Sequence, residues 1–332
     1  MEQTIRERFT DDILQEVQLR YGIKPDNCQE LGGFESFMYA FARNKGDYIL
    51  RIGHSKRRTV ELIQGEVDWI NYLAAGGAGV ARAVLSDAGN LVEMIDDGHG
   101  GHFLATAFVK APGGNPWQME KWDETLFERY GRLLGRIHRL SKEYTLPNPE
   151  WQRPSWDDPI MRVENWLPPE EKVVQEKFVA TIQYLQSLPQ DKEGYGLIHQ
   201  DAHGGNFFVD EDYNITLFDF DDCAYGHFIY DIAMALFYAV TNRPDAEEFG
   251  PHFLNHFMRG YQQENQLAPH WFAEIPYFLK LREFDLYAVI FRSFDVNNLD
   301  EQPWVATFMN GRKQRLEQDI PYLAMDFASF SQ

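Results

Sequence analysis

The stretch that decides the reading is His199-Gln200-Asp201-Ala202-His203-Gly204-Gly205-Asn206, followed after a short interval by Phe218-Asp219-Phe220-Asp221. Between the two runs, Asn206-Phe207-Phe208-Val209 is apolar and strand-like, Asp210-Glu211-Asp212-Tyr213-Asn214 carries turn residues, and Ile215-Thr216-Leu217-Phe218 resumes the strand. Apolar runs flanking a cluster of Asp and Asn predict a hairpin. Folding that hairpin back brings Asn206 and Asp219 to one end. An amide oxygen and a carboxylate held on neighbouring strands suit a hard cation such as magnesium, which keeps several waters and takes further ligands from substrate phosphates. Asp201 lies five residues before Asn206.

The same spacing occurs in protein kinases, whose H-R-D-L-x-x-x-N loop is followed by a metal-binding Asp. The wording here most resembles the aminoglycoside phosphotransferase and choline kinase family, with H-x-D-x-x-x-x-N, Gly near the Asn, and D-x-D in place of D-F-G. Three further stretches extend the resemblance across most of residues 30 to 240: Tyr48-Ile49-Leu50-Arg51-Ile52, the Gly131–His138 helix segment, and Asp231-Ile232-Ala233. Beyond about residue 245 it becomes vague.

The resemblance implies an α+β, bilobal, protein-kinase-like fold, with a nucleotide-binding lobe over residues 1–110 and a catalytic, substrate-binding lobe over 111–332. It implies ATP and Mg2+ as cofactors and a small-molecule hydroxyl as acceptor. Asp201 takes the catalytic role; Asn206 and Asp219 are the metal ligands, with Asp221 a further candidate. His199 packs and hydrogen-bonds the loop, and Asp231 braces it. Alternatives remain for the function: an atypical Ser/Thr protein kinase of the bacterial stress-response type, which shares the loop and has D-x-D-D wording, or a non-catalytic nucleotide-binding regulator.

Upstream, Ile13, Leu14 and Val17 at helical spacing predict an opening helix over Asp11–Tyr21, stopped by Gly22. Gly32 and Gly33 lead into a strand at Phe37–Phe41, so Gly33, Phe34 and Ser36 are candidates for a loop covering phosphates. Arg51 stands where V-A-I-K kinases carry Lys; its permanent, bidentate charge can grip phosphate. In the helix predicted over Glu61–Leu73, both Glu61 and Glu66 could pair with it, and Glu66 is preferred because Val67, Ile70 and Leu73 continue an inward stripe around it. The buried-strand pattern Phe103–Val109 ends at the expected hinge, which puts an adenine-facing edge at Phe108 to Lys110.

The segment from Trp122 to Ser141 carries a long apolar stripe and reads as a core helix. Another helix is expected over Glu170–Leu188, and the chain reads as helical after Asp231, with stripes at Phe253–Tyr261, Phe278–Phe294 and Thr307–Leu316. In the family these late helices wall the acceptor site, which makes Asp222, Glu283 and Asp285 candidate contacts for an amino group.

A chain of 332 residues with 44% hydrophobic content can bury two cores. The formal net charge of −20 argues against nucleic acid and anionic membrane as partners. Cys28 and Cys223 are far apart and match no metal or disulfide pattern, and the N-terminal residues lack a signal-peptide core, so a cytoplasmic location is expected. Nothing in the sequence sets an oligomeric state.

Overall fold

Alternation along β3 (Gly46–His54) organises the first part of the chain. Leu50 and Ile52 are wholly buried on one face of a sheet, and Arg51 between them must face the other. The computed structural model describes residues 3–33, 35–44 and 46–331. The chain divides into two units, one of Met1–Gly114, Tyr144–Arg153 and Thr216–Asp221, the other of Asn115–Glu143, Pro154–Ile215 and Asp222–Gln332.

The first unit contains α1 (Gln3–Arg6), α2 (Asp11–Arg20), β1 (Cys28–Glu30), β2 (Phe37–Arg43), β3, α3 (Val60–Ala75), β4 (Ala83–Val84), β5 (Glu93–Asp96) and β6 (His102–Val109). The strands form an antiparallel sheet in the order β1-β2-β3-β6-β4, with β5 also on β6. Val17 of α2 and Tyr21, its C-cap, pack with Leu50, Ile52, Phe103, Ala105 and Ala107 on one face. Ile63 and Val67 of α3 pack with Leu104 and Phe108 on the other. Thr10 and Thr59 start α2 and α3 by accepting hydrogen bonds from Ile13 N and Leu62 N, the usual service of an N-cap hydroxyl.

The second unit holds α4 (Glu124–Glu143), α5 (Lys172–Gln186), β7 (Tyr195–Ile198), β8 (Phe207–Val209), the first residue of β9 (Ile215–Leu217), β10 (Ala224–His227) and α6 (Phe228–Val240). It continues through α7 (Ala246–Tyr261), α8 (Ile275–Ser293), α9 (Pro303–Met309) and α10 (Arg312–Glu317). The boundary between units falls within β9. Helices α4 and α7 cross backbone to backbone. A Cβ on Gly131 would lie 1.8 Å from Phe257 O, and one on Gly260 would lie 1.8 Å from Glu128 O. Only hydrogen fits at these two positions.

The chain is α+β, as expected, and the predicted hairpin is present: β8 and β9 form a two-stranded sheet. Its turn is tied by Asp210, whose carboxylate accepts from Asp212 N and Asn214 N. Two local expectations change. The stripe at Thr307–Leu316 is not one helix, because Gly311 adopts φ +68 and separates α9 from α10. Strands β7 and β10, which pair antiparallel on either side of the key motif, were not anticipated; Gly196 and Gly226 in them obscure the strand pattern. Among the described residues, no helix is long and apolar enough to cross a membrane.

Candidate active site

In the first unit, the register that turns Arg51 away from the α2 face points it at α3. There its guanidinium meets Glu66 in a two-pronged bond, Nη1 to Oε1 and Nη2 to Oε2, both at 2.7 Å. Both residues are buried, and the fork geometry is the strong form of the Arg–carboxylate pair. Glu66 is thus the carboxylate Arg51 reaches, and Glu61 lies in the first turn of α3. Burial would discharge Arg51, but Glu66, then Asp221 and Asp219, outweigh it and hold the guanidinium firmly protonated. The Phe108 ring lies 5.1 Å from the Arg51 guanidinium carbon.

The Gly33 Cα approaches its neighbour so closely that a Cβ would stand 2.0 Å from Ser36 O, which is why the loop needs glycine there. Phe34 lies outside the described residues. At the expected adenine edge, Val109 N already donates to Arg82 O and Lys110 N to Asp47 O. Those two amides therefore extend the sheet, and an adenine donor contact would have to come from elsewhere along the linker.

Asp219 is exposed and has φ +65, a left-handed conformation rare for a residue with a side chain and often kept at functional sites. The intervening Phe220 is buried edge-on against Trp69 of α3, at 5.5 Å. Asp221 is surrounded by guanidinium groups. Arg57 Nη1 bonds its Oδ2, with Arg58 Nε at 3.7 Å and Arg51 Nη1 at 3.9 Å. Arg153 donates to its backbone oxygen at 2.7 Å and to Leu62 O at 2.8 Å. Burial raises the pKa of this carboxyl, yet Arg57, Arg51, Arg58 and Arg153 pull it well below the ordinary range. Arg57 and Arg58 stand in a basic run, Lys56-Arg57-Arg58, a signal that was legible in so acidic a chain.

In the second unit the His199–Asn206 loop leaves β7 at Ile198. The next two amides run on past the strand and are taken by Asp231 in the first turn of α6: His199 N at 2.9 Å and Gln200 N at 2.7 Å. Asp231 is fully buried, and His138 of α4 approaches its Oδ2 at 3.2 Å. His199 is buried too, and its Nδ1 accepts from Asp201 N at 3.3 Å. Gln200 takes φ +69 at the bend. Tyr130 of α4 donates to Ala202 O.

These contacts present the Asp201 side chain, which stays 26% exposed. Arg282 Nη2 of α8 donates to Oδ1 at 2.8 Å, and Asn206 Nδ2 donates to Oδ2 at 3.1 Å and to Asp201 O at 2.9 Å. The Asn206 amide is therefore turned so that its oxygen is left for another partner, the donor type a magnesium ion takes. Burial raises the Asp201 pKa, but Arg282, then His203 and His199, bring it down to about 2. His203 Nδ1 accepts from Gly205 N at 2.9 Å, and its ring lies 4.5 Å from that of Tyr238. Tyr238 OH in turn accepts from Arg282 Nη2 at 2.5 Å. Arg282 gave no sign in the sequence, because it is 81 residues from its partner in an ordinary helical stripe.

Of the acceptor candidates, Asp285 lies one helical turn from Arg282 and receives a hydrogen bond from Tyr230 OH at 3.1 Å. Burial pushes its carboxyl up to about 6, against the pull of Arg282 and Tyr230. Asp285, Gln200, Tyr230 and Glu164 line a cavity of about 20 Å³, room for roughly one water. Gln200 Oε1 and Glu164 Oε2 are buried there without a protein partner among the described residues. Glu283 is elsewhere: it is fully buried, its two oxygens held at 2.6 Å by Lys280 and Arg312. That internal ion triad withdraws it from acceptor contact. Asp222 is half-buried just before β10.

The sequence profile of the phosphotransferase enzyme family matches residues 28–274. The amicoumacin kinase of Bacillus subtilis (strain 168) is 36% identical over 324 residues, covering 96% of this chain and 95% of that protein. The structure of amicoumacin kinase hAmiN in complex with AMP-PNP, Ca2+ and Ami superposes with a TM-score of 0.92 at 34% identity, covering 99% of each chain. A microcompartment-associated aminopropanol kinase shares the fold, with a TM-score of 0.73 at 21% identity over 93% of this chain and 98% of that one. The chain belongs to the phosphotransferase enzyme family, has its protein-kinase-like fold, and is an ATP- and divalent-metal-dependent kinase of small-molecule hydroxyls.

Proposed function

We propose that the acceptor is an amine-bearing alcohol of the amicoumacin type, phosphorylated on a hydroxyl presented to Asp201. The observation that carries this is the likeness over nearly the whole chain to an amicoumacin kinase, joined to a catalytic carboxylate held from both sides by Arg282 and Asn206. Asp285 and the small polar cavity beside Gln200 support an amino-group contact.

Asp201 orients the hydroxyl and accepts its proton. A carboxyl with a pKa near 2 is a weak base, which suits a loose transition state in which the proton leaves late and positioning does most of the work. Asn206 and Asp219 offer the oxygen donors for magnesium, and Arg51 supplies fixed positive charge. When bound, magnesium-ATP provides the phosphoryl group and the metal neutralises charge on it. Residues 1–110 carry the nucleotide side of this reading and 111–332 the catalytic side. The free cysteines Cys28 and Cys223 fit a reducing cytoplasm.

The test is magnesium-dependent ADP release with amicoumacin, amino alcohols, aminoglycosides, homoserine and a generic protein substrate, run beside Asp201→Asn. Amicoumacin-stimulated release that disappears in the variant is expected. Stimulation by the protein substrate alone would favour a protein kinase instead, and retained turnover in the variant would remove Asp201 as the base.

A further inference from the structure

The second carboxylate of the Asp219-Phe220-Asp221 segment is surrounded by cations. Its Oδ2 is bonded by Arg57, Arg58 Nε stands 3.7 Å from the same oxygen, and Arg51 Nη1 stands 3.9 Å from Oδ1. A divalent cation brought to this carboxylate would meet guanidinium charge on several sides. An anion is what such a set of donors accepts, and Asp221 is the anion they hold in this structure.

Arg57 differs from the other two. Arg51 and Arg58 are buried, and Arg51 is committed to Glu66, whereas the Arg57 side chain is 27% exposed at the connection between β3 and α3. Its Nε also lies 3.7 Å from Oε2 of Glu35. One long, half-exposed side chain thus ties the loop that follows Gly33 to the segment that contains Asp219. Asp221 and Glu35 are carboxylates, each with a single negative charge, and a nucleotide polyphosphate carries several in a form that guanidinium groups bind in two-pronged fashion.

We propose that Asp221 is the resting counter-ion of Arg57 rather than a magnesium ligand, and that Arg57 exchanges Asp221 and Glu35 for the polyphosphate when nucleotide binds. Arg57 is then a nucleotide-specificity residue that senses the phosphate chain, and Asp221 sets the charge against which that chain competes. The idea rests on nucleotide binding by this fold but assigns roles to residues which that reading leaves without one.

The two roles for Asp221 make opposite predictions. Calorimetric titration with inorganic tripolyphosphate and with ATP, without metal and then with magnesium, would be compared among the wild type, Asp221→Asn and Arg57→Gln, with adenosine as a phosphate-free control. Removing the internal competitor in Asp221→Asn should tighten metal-free tripolyphosphate and ATP binding several-fold. Arg57→Gln should weaken both by about tenfold or more, with adenosine unchanged. Asp221→Asn that loses only the magnesium-dependent gain in ATP affinity, with tripolyphosphate binding unaltered, would make Asp221 a metal ligand and overturn the proposal. Should Asp221→Asn not fold, Arg57→Gln decides alone, since unchanged tripolyphosphate affinity there also overturns it. Wild-type protein that binds neither ATP nor adenosine would instead refute the nucleotide reading itself.

Discussion

Arg282 donates a 2.8 Å hydrogen bond to Oδ1 of Asp201 from a helix 81 residues further along the chain. It is the largest influence opposing burial, and burial alone would raise the carboxyl above its ordinary value of 3.8. Because the folded value lies lower, near 2, the ionised form is favoured, and the stability this gives is present above about pH 4 and lost as pH falls toward 2. In Arg282→Gln the carboxyl should rise, so the acid limb of the kcat profile moves to higher pH. A pH–rate series on the variant checks this, and an unshifted limb would exclude Arg282 as the group that sets the ionisation of Asp201.

Asp231→Asn should be more damaging than an isosteric change suggests. The carboxylate accepts from two amides that β7 has no strand to satisfy, and an amide group would present a donor to one of them. Leaving a buried partner unsatisfied costs about 1–3 kcal/mol, more where charge is involved. Denaturant unfolding should show a loss in that range, with kcat reduced as the loop slackens.

Glu66→Gln strands Arg51 in a buried setting, for which a loss of about 3–5 kcal/mol is expected. Glu61→Gln, in the first turn of the same helix, should change stability by about 0.5 kcal/mol or less. Parallel thermal melts of the two variants separate them. Similar losses would mean that the fork to Glu66 contributes nothing specific.

Asp285 is the opposite electrostatic case to Asp201. Its folded value, raised to about 6, means that the neutral form is favoured. Its contribution to stability is therefore complete below about pH 4 and is lost as pH rises through 6. Groups facing it are Arg282, Tyr230 and Glu164. Asp285→Asn should flatten the fall in stability between pH 4 and 6, as measured by urea unfolding at a series of pH values.

Gly260→Ala should destabilise the second unit by about 1–3 kcal/mol or more, because its Cβ would press into Glu128 O. Exposed Gly89, whose Cβ would meet nothing within 4 Å but whose φ is +85, provides a contrast limited to backbone strain. Chemical denaturation of the two alanine variants gives the comparison.

Much of the fold could be read from local pattern. The β8–β9 hairpin, α2, α3 and α4 announce themselves through apolar period and turn residues, which act within a few residues of chain. The motif Asp201–Asn206 with Asp219 is equally local, since it is defined by spacing around one loop and one hairpin. The weakest reading fell on the late helices. Glu283 and Asp285 are two residues apart on α8 and look alike in sequence, yet one is locked between Lys280 and Arg312 and the other lines a cavity beside Gln200. Helical rotation separates them, and only the packing of α8 says which face is interior.

The sequence by itself determined the spacing on which the family rests: a carboxylate, an amide and a second carboxylate at kinase spacing, in a chain whose strands and helices are written in their own periodicities. Tertiary structure decided how those groups are charged and held. Glu66 rather than Glu61 meets Arg51 because the β3 register and the pitch of α3 select it. Asp231 reaches the loop because β10 pairs with β7 and delivers α6 there, and Asp221 meets Arg57 and not open solvent. Each of these contacts joins residues distant along the chain. Coulomb and hydrogen-bond energies depend on separation in space, which no local pattern records.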